Sequence, residues 1–463
     1  MPILAGFMVP HPPMIVPAVG RGSEKQVEKT TRAYEQAAEE IAALRPDTII
    51  ITSPHATMYA DYFHISPGRS ARGDFGQFRA GQESYRVDYD AELTSLISKL
   101  AREKGFPAGV MGERDRKLDH GTMVPLYFIR KAYPEMCKIV RIGLSGLPLT
   151  EHYRLGQMIR EAVDILGRRA VFVASGDLSH KLQSYGPYGF AAEGPQYDER
   201  IMDVCSRAAF GELFDFEESF CEKAAECGHR SFVIMAGAFD GLSVKAAQLS
   251  HEDVTGVGYG ICTFYPGEPD EGRHFLAQYL VKASEKLSAA RAQEDPYVQL
   301  ARKTVEMYVR DRVKPEVPAG LPPEMLSTRA GAFVSIHEHG KLRGCIGTIA
   351  PVRNCVAQEI IDNAVSASTR DPRFDPITAD ELEWLEISVD VLGEAEPIAS
   401  PAELDVKRYG VIVTKGTKRG LLLPDLDGVD TVEQQIAIAK SKAGIADWDK
   451  KVQLERFEVV RHH

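Results

Sequence analysis

Apolar positions in the first 280 residues come in short unbroken runs rather than in alternation. Residues 3–9, 47–52 (DTIIIT), 138–142 (KIVRI) and 170–174 (AVFVA) each read as a strand, and 256–267 (GVGYGICTFYPG) holds a later one. Between them, residues 29–44, 91–104 and 151–166 carry apolar residues at helical spacing. Strands that are apolar on both faces need cover on both. The pattern therefore predicts an α/β unit, a central mostly parallel sheet flanked by helices. From about residue 283 the texture changes. A charged helical passage leads into the proline-dense KPEVPAGLPPEM (314–325), which suits neither a helix nor a central strand. Beyond it, GAFVSIHEHGKLRGCIGTI, LEISVDVLG and YGVIVTKGTKRGLLLP approach period two between glycine turns, which predicts an α+β unit on an antiparallel sheet. The expected boundaries are 1–282 for the first unit, 283–298 for a helical linker and 299–463 for the second.

Composition narrows the function class. A chain of 463 residues is long enough for two or three domains. Its formal net charge of −11 argues against a nucleic-acid partner or an anionic membrane surface. No stretch approaches the roughly 20 consecutive apolar residues of a spanning helix. The opening MPILAGFMVPHPP lacks the basic region and apolar core of a signal peptide. Cysteines 137, 205, 221, 227, 262, 345 and 355 form no CxxC pair, and such scattered thiols fit a reducing cytoplasm. The expectation is a cytoplasmic protein that acts on a small molecule.

Three histidines each sit just past an apolar strand: His11 in FMVPHPP, His55 in TIIITSPH and His180 in VFVASGDLSH. In open α/β sheets, ligands collect beyond the carboxyl ends of the strands, so imidazoles delivered there point to metal and acid–base chemistry. The prolines after His11 stiffen its loop and aim the ring. Two imidazoles and a carboxylate form a facial triad with open positions, the arrangement of non-haem Fe(II) oxygenases. A third ligand is expected from AAECGHRSFVIMAGAF (224–239), where Glu226, Cys227 and His229 compete. Glu226 offers the oxygen that iron prefers, whereas Cys227 makes a softer site suited to Zn(II). His180, with Asp177 three residues before it, is the candidate acid/base. His120, in LDHGTMVPL, is a candidate contact for substrate or oxygen.

HPP, SPHA, DHGTMVPL and SGDLSH, in this order, resemble the class III (LigB-type) extradiol ring-opening dioxygenases and the related Memo-like proteins, over roughly residues 1–280. The resemblance implies a metal site at His11, His55 and one of Glu226 and Cys227. It makes His180 the catalytic acid/base and His120 a second active-site histidine. In the dioxygenases the third ligand is a glutamate and in Memo-like proteins a cysteine; this chain carries Glu-Cys-Gly. The implied substrates are dioxygen and a catechol-like aromatic, the implied cofactor is Fe(II) with Zn(II) as the alternative, and a homodimer is the implied assembly.

In the second unit, LRGCIGTI (342–349) places Cys345 between Gly344 and Gly347, which suggests a bulge or a close backbone approach around the thiol. TRDPRF (369–374) sets Arg370 and Arg373 around an Asp-Pro turn, where paired arginines suit a carboxylate or phosphate. These two motifs resemble the AMMECR-type domain over roughly residues 295–463. The fusion resembles the AmmeMemoRadiSam family, which implies association with a Memo-like protein and a radical SAM enzyme. Its AMMECR-type part is expected to bind substrate or close the site through Cys345, Arg370 and Arg373. The alternative is a metal-binding redox or interaction module without ring-cleaving turnover.

Overall fold

Residues 3–112, 117–426 and 428–463 are described by a computed structural model, which divides into a unit of Met1–Leu280 and a unit of Val281–His463. The first is built on six strands: β1 (Ile3–Val9), β2 (Thr48–Ser53), β3 (Lys138–Gly143), β4 (Ala170–Ser175), β5 (Leu242–Glu252) and β6 (Tyr259–Pro269). Their order across the sheet is β3-β2-β4-β1-β6-β5. The first four are mutually parallel, and β6 and β5 extend the sheet antiparallel. The predicted α/β class with a mostly parallel sheet is thus met, with an antiparallel margin.

The absence of polar alternation has a direct cause. Ile49 and Ile51 of β2 point into one core while Ile50 points into another on the opposite face, and all three are fully buried. Each such side chain contributes about 1.5–3 kcal/mol by leaving water. On the first face lie α1 (Glu28–Leu44) and α3 (His120–Ala132), through residues such as Tyr34, Ile41 and Val124. On the second lie α2 (Ala91–Glu103), α4 (Leu149–Leu166) and α5 (His229–Ala238), through Ile97, Ile159 and Phe232.

One consequence of the strand order positions the site. β2, β4 and β1 are far apart in sequence but adjacent in the sheet and parallel, so the segments after them, which carry His55, His180 and His11, leave the same edge side by side.

In the second unit, α6 (Pro296–Asp311) opens on the N-cap Asp295. The strands are β7 (Ala332–Glu338), β8 (Lys341–Gly347), β9 (Leu385–Leu392), β10 (Glu396–Ile398), β11 (Gly410–Lys415), β12 (Lys418–Leu422), β13 (Gln453–Phe457) and β14 (Val459–His462). They form two antiparallel sheets, ordered β8-β7-β9-β14 and β10-β13-β11-β12. The first packs on α6 and α7 (Val356–Thr369), the second on α8 (Val432–Lys442). This is the α+β class expected of the second unit. Among the described residues, no helix is long and apolar enough to cross a membrane.

Candidate metal centre

His11 leaves β1 in a loop whose backbone is fixed from the neighbouring strand. Its N–H donates to Asp177 Oδ1 at 2.6 Å, and Asp177 lies two residues beyond β4. The ring is 1% exposed, and its tautomer follows from the hydrogen bonds. Ser175 Oγ donates its only proton to the Gly121 carbonyl at 2.6 Å, so toward His11 Nδ1, 3.0 Å away, it acts as acceptor. The proton of His11 is therefore on Nδ1, and Nε2 presents a lone pair.

That lone pair faces a second imidazole. His55 Nε2 lies 3.0 Å from His11 Nε2. Two nitrogens this close can both bind one ion. His120, the first residue of α3, joins the pair. One nitrogen from each of His11, His55 and His120 can be chosen so that all lie within 4.8 Å of one another. Burial, and then its neighbour His55, holds the His11 imidazole down at about 3; burial, His55 and His11 do the same to His120. Both rings are neutral near pH 7, the form that binds a cation.

Only part of the 226–227 pair reaches this cluster. Cys227 Sγ is 3.7 Å from His11 Nε2 and accepts the Asp177 N–H at 3.3 Å. Glu226 is buried, but its carboxylate accepts the His229 N–H at 2.6 Å, at the start of α5, and also interacts with Tyr197. The structure does not bring Glu226 to the histidines, nor His229, which sits between Leu213 and Tyr197. Backbone packing decides which residue faces in. A Cβ on Gly176 would lie 2.0 Å from Gly228 Cα, so the loop after β4 and the loop before α5 touch, and Cys227 is pressed against Asp177. Glycine at both positions permits that approach.

His180 stands beside the cluster. Its Nδ1–H donates to the Ala225 carbonyl, which accepts only, so Nε2 keeps its lone pair for proton transfer. Tyr188 meets its ring edge-on at 5.1 Å, and Phe78 meets His120 at 5.5 Å. These aromatics, and Ser175, did not emerge from the sequence motifs, although Ser175 opens SGDLSH. Asp177 holds the backbone of the His11 loop and neighbours the clustered histidines. Its carboxylate is 4.0 Å from His11 Nε2, and burial raises its pKa against the lowering influence of His180.

Beneath His120 lies a buried ion pair. Asp119 caps α3, accepting from Thr122 N at 3.0 Å, and also accepts from Ser53 Oγ at 2.6 Å and Arg141 Nη2 at 2.7 Å. Burial alone would raise the Asp119 carboxyl; Arg141 and the two hydroxyls overcome it and bring it to about 2. Gly121 makes room for this packing, since a Cβ there would lie 2.3 Å from Ser53 Oγ. Arg141 is fully buried. The Arg141→Met protein is expected to lose about 3–5 kcal/mol of stability in urea unfolding, because Asp119 would be left as an uncompensated buried charge.

The second-unit candidates are only partly together. The Cys345 N–H donates to Asp371 Oδ2 at 2.9 Å, Arg373 Nη2 donates to the Cys345 carbonyl at 3.1 Å, and Ser335 Oγ lies 3.2 Å from Cys345 Sγ. The predicted arginine clamp is occupied from within: Arg373 holds the chain's own Asp371 at 2.7 Å. Arg370 ends α7 with its side chain exposed.

Comparison with known proteins places these features in context. Residues 5–262 match the model of the catalytic LigB subunit of aromatic ring-opening dioxygenase, and residues 298–462 match AMMECR1. A Clostridium acetobutylicum protein is 42% identical over 465 residues, covering 98% of each chain. A Thermotoga maritima protein is 52% identical over 170 residues, 36% of this chain and 98% of its own. The 2-aminophenol 1,6-dioxygenase beta subunit of a Pseudomonas species is 29% identical over 290 residues, 56% of this chain and 92% of its own.

Proposed function

The chain belongs to the LigB family of aromatic ring-opening dioxygenase subunits, joined to an AMMECR1 unit, and from that premise we propose that it is a non-haem Fe(II)-dependent oxygenase acting on a catechol-like aromatic. The observation that carries the reading is the His11–His55 pair, with Nε2 atoms 3.0 Å apart and the His11 tautomer fixed by Ser175. Fe(II) would be held by His11 and His55, with Cys227 the nearer of the two third-ligand candidates. When bound, it supplies a Lewis acid and an electron donor with positions left for reactants. His180 Nε2 takes the phenolic proton of the substrate and later returns a proton, as a positioned imidazole does near neutral pH. Tyr188 and Phe78 present aromatic edges to a flat ring. Asp177 fixes the loop of His11, and His120 contacts substrate or oxygen. A substrate-binding role for Cys345, Arg370 and Arg373 in the AMMECR1 unit belongs to the same proposal, with Arg373 released from Asp371 to take part.

A second reading has one observation in its favour. Cys227 beside His11 makes the site softer than a two-histidine-one-carboxylate set, which suits Zn(II) or a redox-sensitive metal. On that reading the protein is a metal-binding redox or interaction module of the AmmeMemoRadiSam system. Oxygen uptake separates the two. Anaerobically purified chain loaded with Fe(II) is expected to consume oxygen in a substrate-dependent manner with a member of a panel of catechols and 2-aminophenols. Tight metal binding with no uptake across the panel would favour the module.

A further inference from the structure

Outside the candidate metal centre, the second unit contains a cavity of about 880 Å³ beside the β10-β13-β11-β12 sheet and α8. The size suits a small organic molecule. Ile398, Ile436, Val452 and Leu454 contribute an apolar part of its wall. The charged part is unbalanced. Arg419, Lys440 and Lys450 line the cavity against one carboxylate, Glu455, among the described residues. Arg419 already takes that carboxylate, at 3.1 Å. This local excess of positive charge sits in a chain whose formal net charge is −11.

One charged group in that wall is short of partners. Lys440, in the last turn of α8, is 8% exposed. Its ammonium donates to the Asp447 carbonyl at 2.9 Å, and among the described residues no carboxylate forms an ion pair with it. A buried ammonium has three protons to place and a charge to neutralise, and one carbonyl does neither completely. Buried polar groups are satisfied in the great majority of cases, so the incomplete set of partners around Lys440 calls for an explanation.

We propose that this cavity is a binding site for a small organic anion, with its charged group on Lys440 and its apolar body against Ile436 and Leu454. The geometry accommodates a carboxylate or a phosphate ester, since each supplies negative oxygens for the ammonium. The ammonium is held in place by the Asp447 carbonyl before the ligand arrives, which lowers the ordering cost of binding. A site of this kind trades stability for function: the free protein carries a buried charge that the ligand completes.

The test uses the full-length chain stripped of metal with EDTA, so that the histidine cluster offers no bound cation to the probe. Equilibrium dialysis with benzoate and with phenyl phosphate distinguishes carboxylate from phosphate ester; inorganic phosphate lacks the apolar body. At least one of the two organic anions is expected to bind saturably near one equivalent, and inorganic phosphate at least tenfold more weakly. Lys440→Met is expected to weaken the organic anion at least tenfold while the ligand-free variant unfolds at the same or higher urea concentration. Should Lys440→Met fail to fold, Lys450→Glu takes its place, a change at an exposed lining residue with a several-fold loss of affinity expected. No saturable binding of either organic anion, or equal affinity in wild type and the folded variant, overturns the proposal.

Discussion

The His11→Ala protein is expected to retain less than a tenth of the metal bound by the wild type, measured by elemental analysis after anaerobic loading with Fe(II). His11 has its Nδ1 proton committed to Ser175 and its Nε2 lone pair aimed at His55. His11 is buried, and no other described side chain takes its place against His55. The same measurement resolves the third ligand. Cys227→Ser is expected to lower metal affinity by tenfold or more. Glu226→Gln is expected to leave it near the wild-type value, because that carboxylate is spent on the His229 N–H and Tyr197. Loss of metal in Glu226→Gln with retention in Cys227→Ser would reverse this assignment and restore the two-histidine-one-carboxylate set.

The His180→Ala protein is expected to keep its full metal content while kcat for oxygen uptake falls by about 10²–10⁴, the range that one positioned acid/base supplies. The separation of the two readouts follows from the hydrogen bonds. His180 is anchored through Nδ1 to the Ala225 carbonyl and is not one of the three mutually close imidazoles. A drop in metal content comparable to that of His11→Ala would instead make His180 a ligand. Unchanged kcat would remove it from proton transfer.

Both expectations rest on an arrangement that was legible in the sequence to different depths. The parallel core was plain, because β2 and β4 are apolar on both faces and two cores need such strands. The margin was not. β5, LSVKAAQLSHE, mixes Lys, Gln and Ser into an edge strand that is largely half-buried or exposed, so its hydrophobic signal is weak. The strand order β2-β4-β1 is a long-range property that no local pattern carries, yet it is what sets the three post-strand segments side by side. That Cys227 rather than Glu226 lies against His11 likewise depends on the meeting of Gly176 and Gly228, 52 positions apart in the sequence. One signal was available and unused. Arg141 sits between apolar residues inside the run KIVRI, and a cation so placed needs a buried partner, which proves to be Asp119. Conversely, a pair of arginines around Asp-Pro looked open for a ligand, but the Asp371 between them is the carboxylate that Arg373 holds.

The measurement closest to the central claim is anomalous X-ray diffraction at the iron edge, from crystals of the full-length chain grown anaerobically with Fe(II). One strong peak is expected within bonding distance of Nε2 of both His11 and His55. Absence of density there, in protein that holds about one equivalent of iron in solution, would contradict that claim.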